Sequence, residues 1–268
     1  MTSRIAIDLK KASGNVDIFT FPGLKSRHYL LGFAFSPRLI EEALRLRYRI
    51  FNLEMGGGLR SSEASGVDSD RFDRQMDHLV LLNAHSGEMV GTYRLQTITR
   101  ALEGEGIYSA QEFDLTALEP VLAYSIELGR ACLASEHRNL AAVLHMWQGI
   151  AHYLQMCNCR YLLGCVSIAS SDPDDGWRAL NTIRSHGYLH PDLFLPARPG
   201  FSCVPGFSED DSDLDEPITL PPLFRAYARL GTKVISEPAI DRDFGTVDFL
   251  MMLDGFEVRK STLAILQR

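Results

Sequence analysis

The chain is short of basic charge, of paired cysteines and of long apolar runs, and each shortage excludes a class of protein. Lysine and arginine number 27 against 34 aspartate and glutamate, a formal charge of −7 over 268 residues. General nucleic-acid binding needs a basic footprint, so that class is set aside, although a local basic patch is not. The five cysteines (Cys132, Cys157, Cys159, Cys165 and Cys203) are odd in number and contain no Cys-x-x-Cys pair, which excludes a disulfide scaffold. Cys157-Asn158-Cys159 beside His152 suggests a metal, but zinc takes four ligands at recognisable spacing and no second pair follows. Buried free thiols in a reducing cytoplasm are the better reading, and no metal is expected. The most apolar stretches, Tyr29 to Phe35 and Phe249 to Leu253, are too short to span a bilayer. The amino-terminal residues hold no long apolar run and do not read as a signal peptide. Repeats and low-complexity tails are missing too. A soluble, cytoplasmic protein is the expectation.

What is present is ordinary for a globular protein: 46% apolar and 23% charged residues, with 21 glycines and 12 prolines. Residues 1–35 read as an extended lead-in, and 36–268 as one domain. Ser36-Pro37 opens a helix whose apolar spacing sets Arg47 and Phe51 one turn apart near its end. Gly56-Gly57-Gly58 stops it, and the Ser- and Gly-rich stretch to Asp70 reads as a mobile loop or lid. Asp77–Asn83 and Glu88–Ile98 predict a hairpin, and Leu122–Leu133 a further strand. Leu140–Met156 is the clearest helix, with Leu140, Val143, Leu144, Trp147, Ile150, Ala151 and Leu154 on its apolar face. Arg160–Ile168 is an almost continuously apolar strand, and Asp172-Pro173 starts another helix. Residues 205–217 form an acidic connector to a short helix at Leu223–Leu230 and two short strands around Asp241–Gly245. The order predicts a mixed α/β fold of the α+β type, with a mainly antiparallel sheet splayed around one helix and flanked by others.

The chemistry gathers in two places. Glu127-Leu128-Gly129-Arg130 puts a carboxylate and a guanidinium inside an apolar strand, where charge is rare unless paired or functional. Regular alternation puts them on opposite faces, whereas a bulge at Gly129 changes that parity. A buried ion pair that merely fixes the sheet explains them equally well. Arg47, Asp70, Asp73 and Arg94 fall in the same half of the chain and together could enclose a charged amine or an amino-acid carboxylate. The second place is the step from strand to helix, Leu133 to Leu140. A helix N-terminus there, with His137 and Arg138 adding positive charge, suits a phosphate.

Taken in order, Leu46-Arg47-Tyr48-Arg49-Ile50-Phe51, Asp70-Arg71-Phe72-Asp73, Asp77-His78-Leu79, Gly91-Thr92-Tyr93-Arg94, Glu127-Leu128-Gly129-Arg130, the run Leu220 to Gly231 around Tyr227, and Pro238 to Phe249 resemble the ornithine-lipid N-acyltransferases. Those are GNAT-like acyltransferases, often labelled hemolysin-like, and the same series is similar to acyl-homoserine-lactone synthases and N-acyl amino acid synthases. The resemblance implies a GNAT-like fold and transfer of a fatty acyl or 3-hydroxyacyl group to the α-amine of an amino acid, ornithine first, giving lyso-ornithine lipid. It implies acyl carrier protein as donor and partner, with acyl-CoA as the other candidate, and no tightly bound cofactor. Arg138-Asn139-Leu140-Ala141-Ala142 stands where general acetyltransferases carry a Gly-rich pyrophosphate loop, which disfavours acetyl-CoA.

Under that reading Glu127, raised in pKa by partial burial, takes the proton of the amine, and Arg130 completes the catalytic pair. Arg47, Phe51, Asp70, Asp73 and Arg94 bind the acceptor or stiffen its pocket. Cys132, Leu133, His137, Arg138 and Asn139 meet the acyl donor, with backbone N–H groups near Cys132 and Leu133 facing the oxyanion and Cys132 a packing residue rather than a nucleophile. Asp243 and Asp248 either hold the second amine of ornithine or are plain turn residues. His137, Arg138, Arg178 and Arg184 are candidates for the basic patch that an acidic carrier needs. The alternatives are acylation of another amino acid such as glycine, signal synthesis from S-adenosylmethionine, and a non-catalytic lipid- or carrier-binding module. A pore-former is disfavoured, peripheral contact at the inner membrane face is compatible, and the missing His-x4-Asp motif assigns any second acylation to another protein.

Overall fold

In the computed structural model, residues 17–21, 23–24, 26–204 and 216–256 are described. Most of the acidic connector, residues 205–215, lies outside them, as do residues 1–16 of the lead-in. The rest of that lead-in is built into the sheet as β1 (Ile18–Thr20) and β2 (Tyr29–Ala34). The first helix, α1 (Pro37–Tyr48), starts as its residues dictate, with the Ser36 hydroxyl accepting from the Leu39 N–H. It buries Leu39, Ala43, Leu46 and Arg47, and runs into a π-helical turn, Arg49–Glu54.

The expected hairpin is β3 (Asp77–Asn83) and β4 (Met89–Thr97), and β5 is Ser125–Leu133. Short helices α2 (Ile98–Leu102) and α3 (Glu119–Leu122) bracket the β4–β5 connection. Then follow α4 (Leu140–Met156), β6 (Tyr161–Ile168), α5 (Pro173–Ser185) and α6 (Pro222–Leu230). The chain finishes in β7 (Lys233–Val234), β8 (Ala239–Asp241) and β9 (Thr246–Asp254). The turn at Asp241–Gly245 thus has one short strand before it, but the strand after it is long and pairs with β6 along the whole of β6.

The strands form one sheet in the order β1-β2-β3-β4-β5-β6-β9-β7, with β8 beside β9. Among the described residues every pair is antiparallel except β5–β6, which α4 connects. That parallel pair is incomplete. It runs from Ser125 opposite Tyr161 to Leu128 opposite Gly164, and beyond those residues the two strands part. The sheet therefore opens into a gap beside Gly129, as a mainly antiparallel sheet that splays must.

Three cores flank it. One joins α1 and α4 to β2–β5, a second lies beneath α5 and α6, and a third packs Phe113, Leu118 and Leu195 on Leu163 and Leu250. The buried stripe of α4 is rotated from the expected face. It holds Ala142, His145, Met146, Trp147, Gly149, Ile150 and Tyr153, so that Trp147 and Ile150 are buried as expected while Leu140 is 73% exposed. The helix is apolar nearly all round, so packing decides which side goes in, and the side with the smallest residue comes closest to the sheet. A β-carbon on Gly149 would stand 2.7 Å from Leu31 and 3.2 Å from Leu79. Gly149→Val is accordingly expected to cost about 1–3 kcal/mol by overpacking, measured by urea unfolding. A loss below half a kcal/mol would show that the helix can shift away freely.

Candidate active site

Five of the sequence-nominated residues meet in one buried network, joined by a sixth. Arg47 projects from the end of α1, and its Nε donates to Asp68 Oδ1 at 2.7 Å while Nη1 and Nη2 donate to Asp73 at 2.6 and 3.2 Å. Asp70 caps the short 3-10 turn Arg71–Arg74, with Asp73 bonding back to the Asp70 N–H as a capping box. That turn aims both carboxylates at the sheet. There Arg94 Nη1, on β4, donates to Asp70 at 2.6 Å and to Asp73 at 3.1 Å. Arg130 Nη2 reaches Asp70 at 3.2 Å, and its Nε lies 3.3 Å from Asp68. Three guanidiniums thus balance three carboxylates.

Asp68 is the member that sequence reasoning missed, because it lies in the stretch read as a mobile loop. That stretch is pinned, with Asp68 and Ser62 both buried and the Asp68 N–H bonded to Leu44 O at 3.1 Å. The available signal was three aspartates in six residues against three arginines embedded in apolar elements. Burial pushes the Asp73 carboxyl up, but the Arg47 and Arg94 charges outweigh it and hold it well below the usual carboxylate range. Arg47, 1% exposed and held by Asp68 and Asp73, and Arg94, 1% exposed with its Nη1 on Asp70 and Asp73 and its Nε without a partner, stiffen the pocket. Arg130 is different: it stands at the parting of β5 and β6, its side chain 9% exposed, with φ of +49°. The strand bulges there, since Arg130 and Ala131, between the register pairs Gly129–Arg94 and Cys132–Thr92, oppose the single residue Tyr93. Its guanidinium lies 4.0 Å from the ring centre of Phe244 and 5.3 Å from that of Tyr108, and Phe51 meets Phe244 edge-on at 6.2 Å.

Glu127 does not pair with Arg130. It is 1% exposed, and both its oxygens hold donors: Ser109 N and Oγ at 2.8 Å on Oε1, Gln96 Nε2 at 2.8 Å and Tyr108 N at 2.9 Å on Oε2. Its burial is complete rather than partial, and the carboxylate ties the Tyr108–Glu112 turn to the sheet. On the same side lies a group that sequence reasoning did not assemble. Glu112, Cys165 and Asp248 bring donor atoms within 4.8 Å of one another, the one such convergence of metal-type side chains among the described residues. Asp243 is an exposed turn residue as expected, whereas Asp248 is a buried residue of β9.

At the other end of β5, the loop before α4 is a 3-10 turn, Ser135–His137. Asn139 caps α4 through Ala142 N at 3.0 Å, and its amide bonds the Tyr29 hydroxyl, which also meets His137 at 3.1 Å. Arg138 donates from Nε to Leu133 O at 3.0 Å and pairs with Glu54. Arg49, Ile50, Glu54, Glu88 and residues 134–137 line a surface hollow beside that helix N-terminus. Arg178 pairs with Asp175 and Arg184 bonds Asn181, both on α5, which packs on β9 rather than beside this hollow. Burial pushes the Cys132 thiol up to about 12, so it is protonated at neutral pH. All five cysteines are unpaired.

Comparison with known proteins bears on this geometry. Residues 46–148 match the model of the acetyltransferase (GNAT) domain family. An L-ornithine N(alpha)-acyltransferase of Rhodobacter capsulatus is 32% identical, the match covering 80% of this chain and 85% of the relative. Another of the same name, from Brucella abortus, is 31% identical over 80% of each. Among solved structures, the acyl-homoserine-lactone synthase LasI aligns over 90% of this chain and 95% of its own at 12% identity, with a TM-score of 0.49.

Proposed function

Since the chain belongs to the L-ornithine N(alpha)-acyltransferase family, we propose that it moves a fatty acyl or 3-hydroxyacyl group from acyl carrier protein to the α-amine of ornithine, giving lyso-ornithine lipid. The relatives' names support the acceptor. The observation that carries the reaction is the parting of β5 and β6 after Leu128 and Gly164. From Gly129 on, β5 pairs only with β4, so its other edge presents unpaired backbone groups to the gap. An extended pantetheine arm has amides that can bond such an edge as an added strand would. Its thioester then lies beside the bulge at Arg130, where N–H groups of the same edge can meet the tetrahedral oxyanion.

Once its ammonium has lost a proton to solvent, the amine attacks the thioester carbon directly: the C–N bond forms, the C–S bond breaks, and the pantetheine leaves as a thiol carrying the proton that the nitrogen gives up. A protonated, buried Cys132 offers no thiolate, so no acyl-enzyme is required. Arg130, the most exposed of the network's three cations at 9%, stands at the gap and is the residue suited to the acceptor's carboxylate. Arg47 and Arg94 hold Asp68, Asp70 and Asp73 behind it, and Glu127 acts as a positioning residue by fixing the turn that carries Tyr108 and Glu112. Phe51 meets the edge of Phe244, which packs on the Arg130 guanidinium. His137 lines the hollow at the N-terminus of α4, and Arg138, bonded to Leu133 O, pairs with Glu54 of its lining; a single phosphate of a carrier's prosthetic arm is favoured there by the helix dipole. Asn139 builds that N-terminus as its cap.

Arg138→Glu is expected to raise KM for the acyl carrier protein about tenfold, leaving kcat within twofold, because a repelled acidic carrier loses encounter and binding energy. An unchanged KM would place carrier docking elsewhere. The reaction itself is tested by mass spectrometry of pure protein incubated with 3-hydroxyacyl carrier protein and mixed amino acids. An N-acyl-ornithine product is expected. A product on another amino acid would keep the chemistry and replace the acceptor, and no acylated product from carrier or coenzyme A thioesters would leave a binding module.

A further inference from the structure

Every buried carboxylate but one among the described residues has a cation or an N–H or hydroxyl donor, although Asp68 Oδ2 is itself without a partner. Asp68, Asp70 and Asp73 have arginines, Asp77 has Arg100 at 2.8 Å, and Glu127 has four donors. Glu112 is the exception. It is 2% exposed, yet among the described residues its carboxylate meets only the Cys165 thiol, 4.0 Å away. Next to it Asp248, 4% exposed, accepts from Thr246 Oγ1 at 2.8 Å. The charged groups around the two are Asp241 on β8 and Glu127 and Arg130 on β5, with the Cys165 thiol on β6. Arg130 is the single cation among them, and it is already shared by Asp68 and Asp70. Burial first, and then the mutual repulsion of the acids, raises Asp248 to about 6 and Glu112 well above its ordinary value. The site is short of one positive charge. It also has an approach from solvent, since Ser167, the register partner of Asp248, is exposed and Cys165 is half-buried in the open arm of the gap.

We infer that Glu112 and Asp248 receive the side-chain ammonium of a diamino-acid acceptor, and so select an acceptor that carries a second amine. The inference rests on the amino-acid acyl-transfer reading above. With the acceptor's α-carboxylate on Arg130 and its α-amine at the thioester, the far ammonium falls to the remaining buried charge of opposite sign. A primary ammonium supplies N–H donors to Glu112, which meets only a thiol, and to Asp248, whose donors are the neutral hydroxyls of Thr246 and Ser167.

The test is calorimetric binding of L-ornithine and of L-norvaline, the same acid without the far amine, to the wild type, Asp248→Asn and Glu112→Gln. The wild type is expected to favour ornithine by about 100-fold or more, as a site left with unpaired polar groups rejects the shorter analogue. Each variant should weaken ornithine at least tenfold and leave norvaline within twofold. Ornithine binding to the wild type should also weaken as pH falls through about 6, where Asp248 gains a proton, and Asp248→Asn should flatten that response. Both variants should fold, because they remove a buried charge whose ionisation opposes folding as pH rises. Their Tm at pH 8 is expected to equal or exceed the wild-type value. Equal weakening of both ligands, or discrimination that survives in both variants, overturns the assignment. So does zinc or manganese binding that is lost in Asp248→Asn while ornithine binding stays intact. A wild type that acylates glycine and norvaline as readily as ornithine would instead overturn the diamino-acid reading beneath it.

Discussion

Replacing Arg47 with methionine is expected to lower the free energy of unfolding by about 3–5 kcal/mol, the usual cost of stranding the partners of a buried charge. Arg47 holds Asp68 through two guanidinium nitrogens and Asp73 through two contacts. Methionine fills most of the volume and supplies none of the donors. Arg94 and Arg130 would be left to hold three carboxylates, two of them in the deepest part of the network. Urea unfolding at pH 7 measures the loss, and a change below 1 kcal/mol would mean that water or Arg94 replaces the missing cation. The sign of the pH dependence is a second check. Because the arginines depress Asp73 despite its burial, its contribution is fully present above the ordinary carboxylate pKa and is lost as pH falls below it. Wild-type stability should therefore drop steeply on acidification, and Arg47→Met should flatten that limb.

Glu127→Gln is expected to cut kcat about 100-fold, and to destabilise by about 1–3 kcal/mol, because an amide cannot accept four donors. One end of the new side chain presents N–H groups either to Gln96 and Tyr108 N or to Ser109 N and Oγ. The turn that Glu127 holds carries Tyr108, whose ring lies over Arg130, and leads into Glu112. Loosening it displaces the acceptor's surroundings without removing a proton acceptor. The acid limb of the pH–rate profile should thus persist at the same pH in the variant. Loss of that limb together with the rate would return the proton-accepting role to Glu127. Loss of activity alone does not distinguish the two roles, and so the profile is the deciding readout.

Much of the local structure was legible before any tertiary contact. Ser36-Pro37 announces α1 because a hydroxyl cap and a proline at the first turn satisfy helix-end requirements within a few residues. The hairpin of β3 and β4 follows from an apolar run, a four-residue polar turn and its return, and the apolar length of β6 follows from layers on both faces. Arg47, Asp70, Asp73, Arg94 and Arg130 stood out because charge inside apolar segments demands a partner. Asp68 was lost among serines and glycines, where a carboxylate is unremarkable. The buried face of α4 was misjudged for a related reason: an all-round apolar helix has no local feature that orients it, and the contact at Gly149 settles the matter.

The sequence by itself determined the elements, the family and the presence of an unusual Glu-x-x-Arg strand, all of which depend on residues close together in the chain. Which charges meet was decided only by the tertiary structure. Glu127 and Arg130, three apart with a bulge and a positive φ at Arg130, go to different partners, one to Gln96, Tyr108 and Ser109 and the other to Asp68 and Asp70. Glu112, Cys165 and Asp248, spread over more than a hundred residues, converge because β6 and β9 pair in one register and the turn held by Glu127 packs over them. The energy of a buried charge depends on its neighbours in space, and those are set by sheet register.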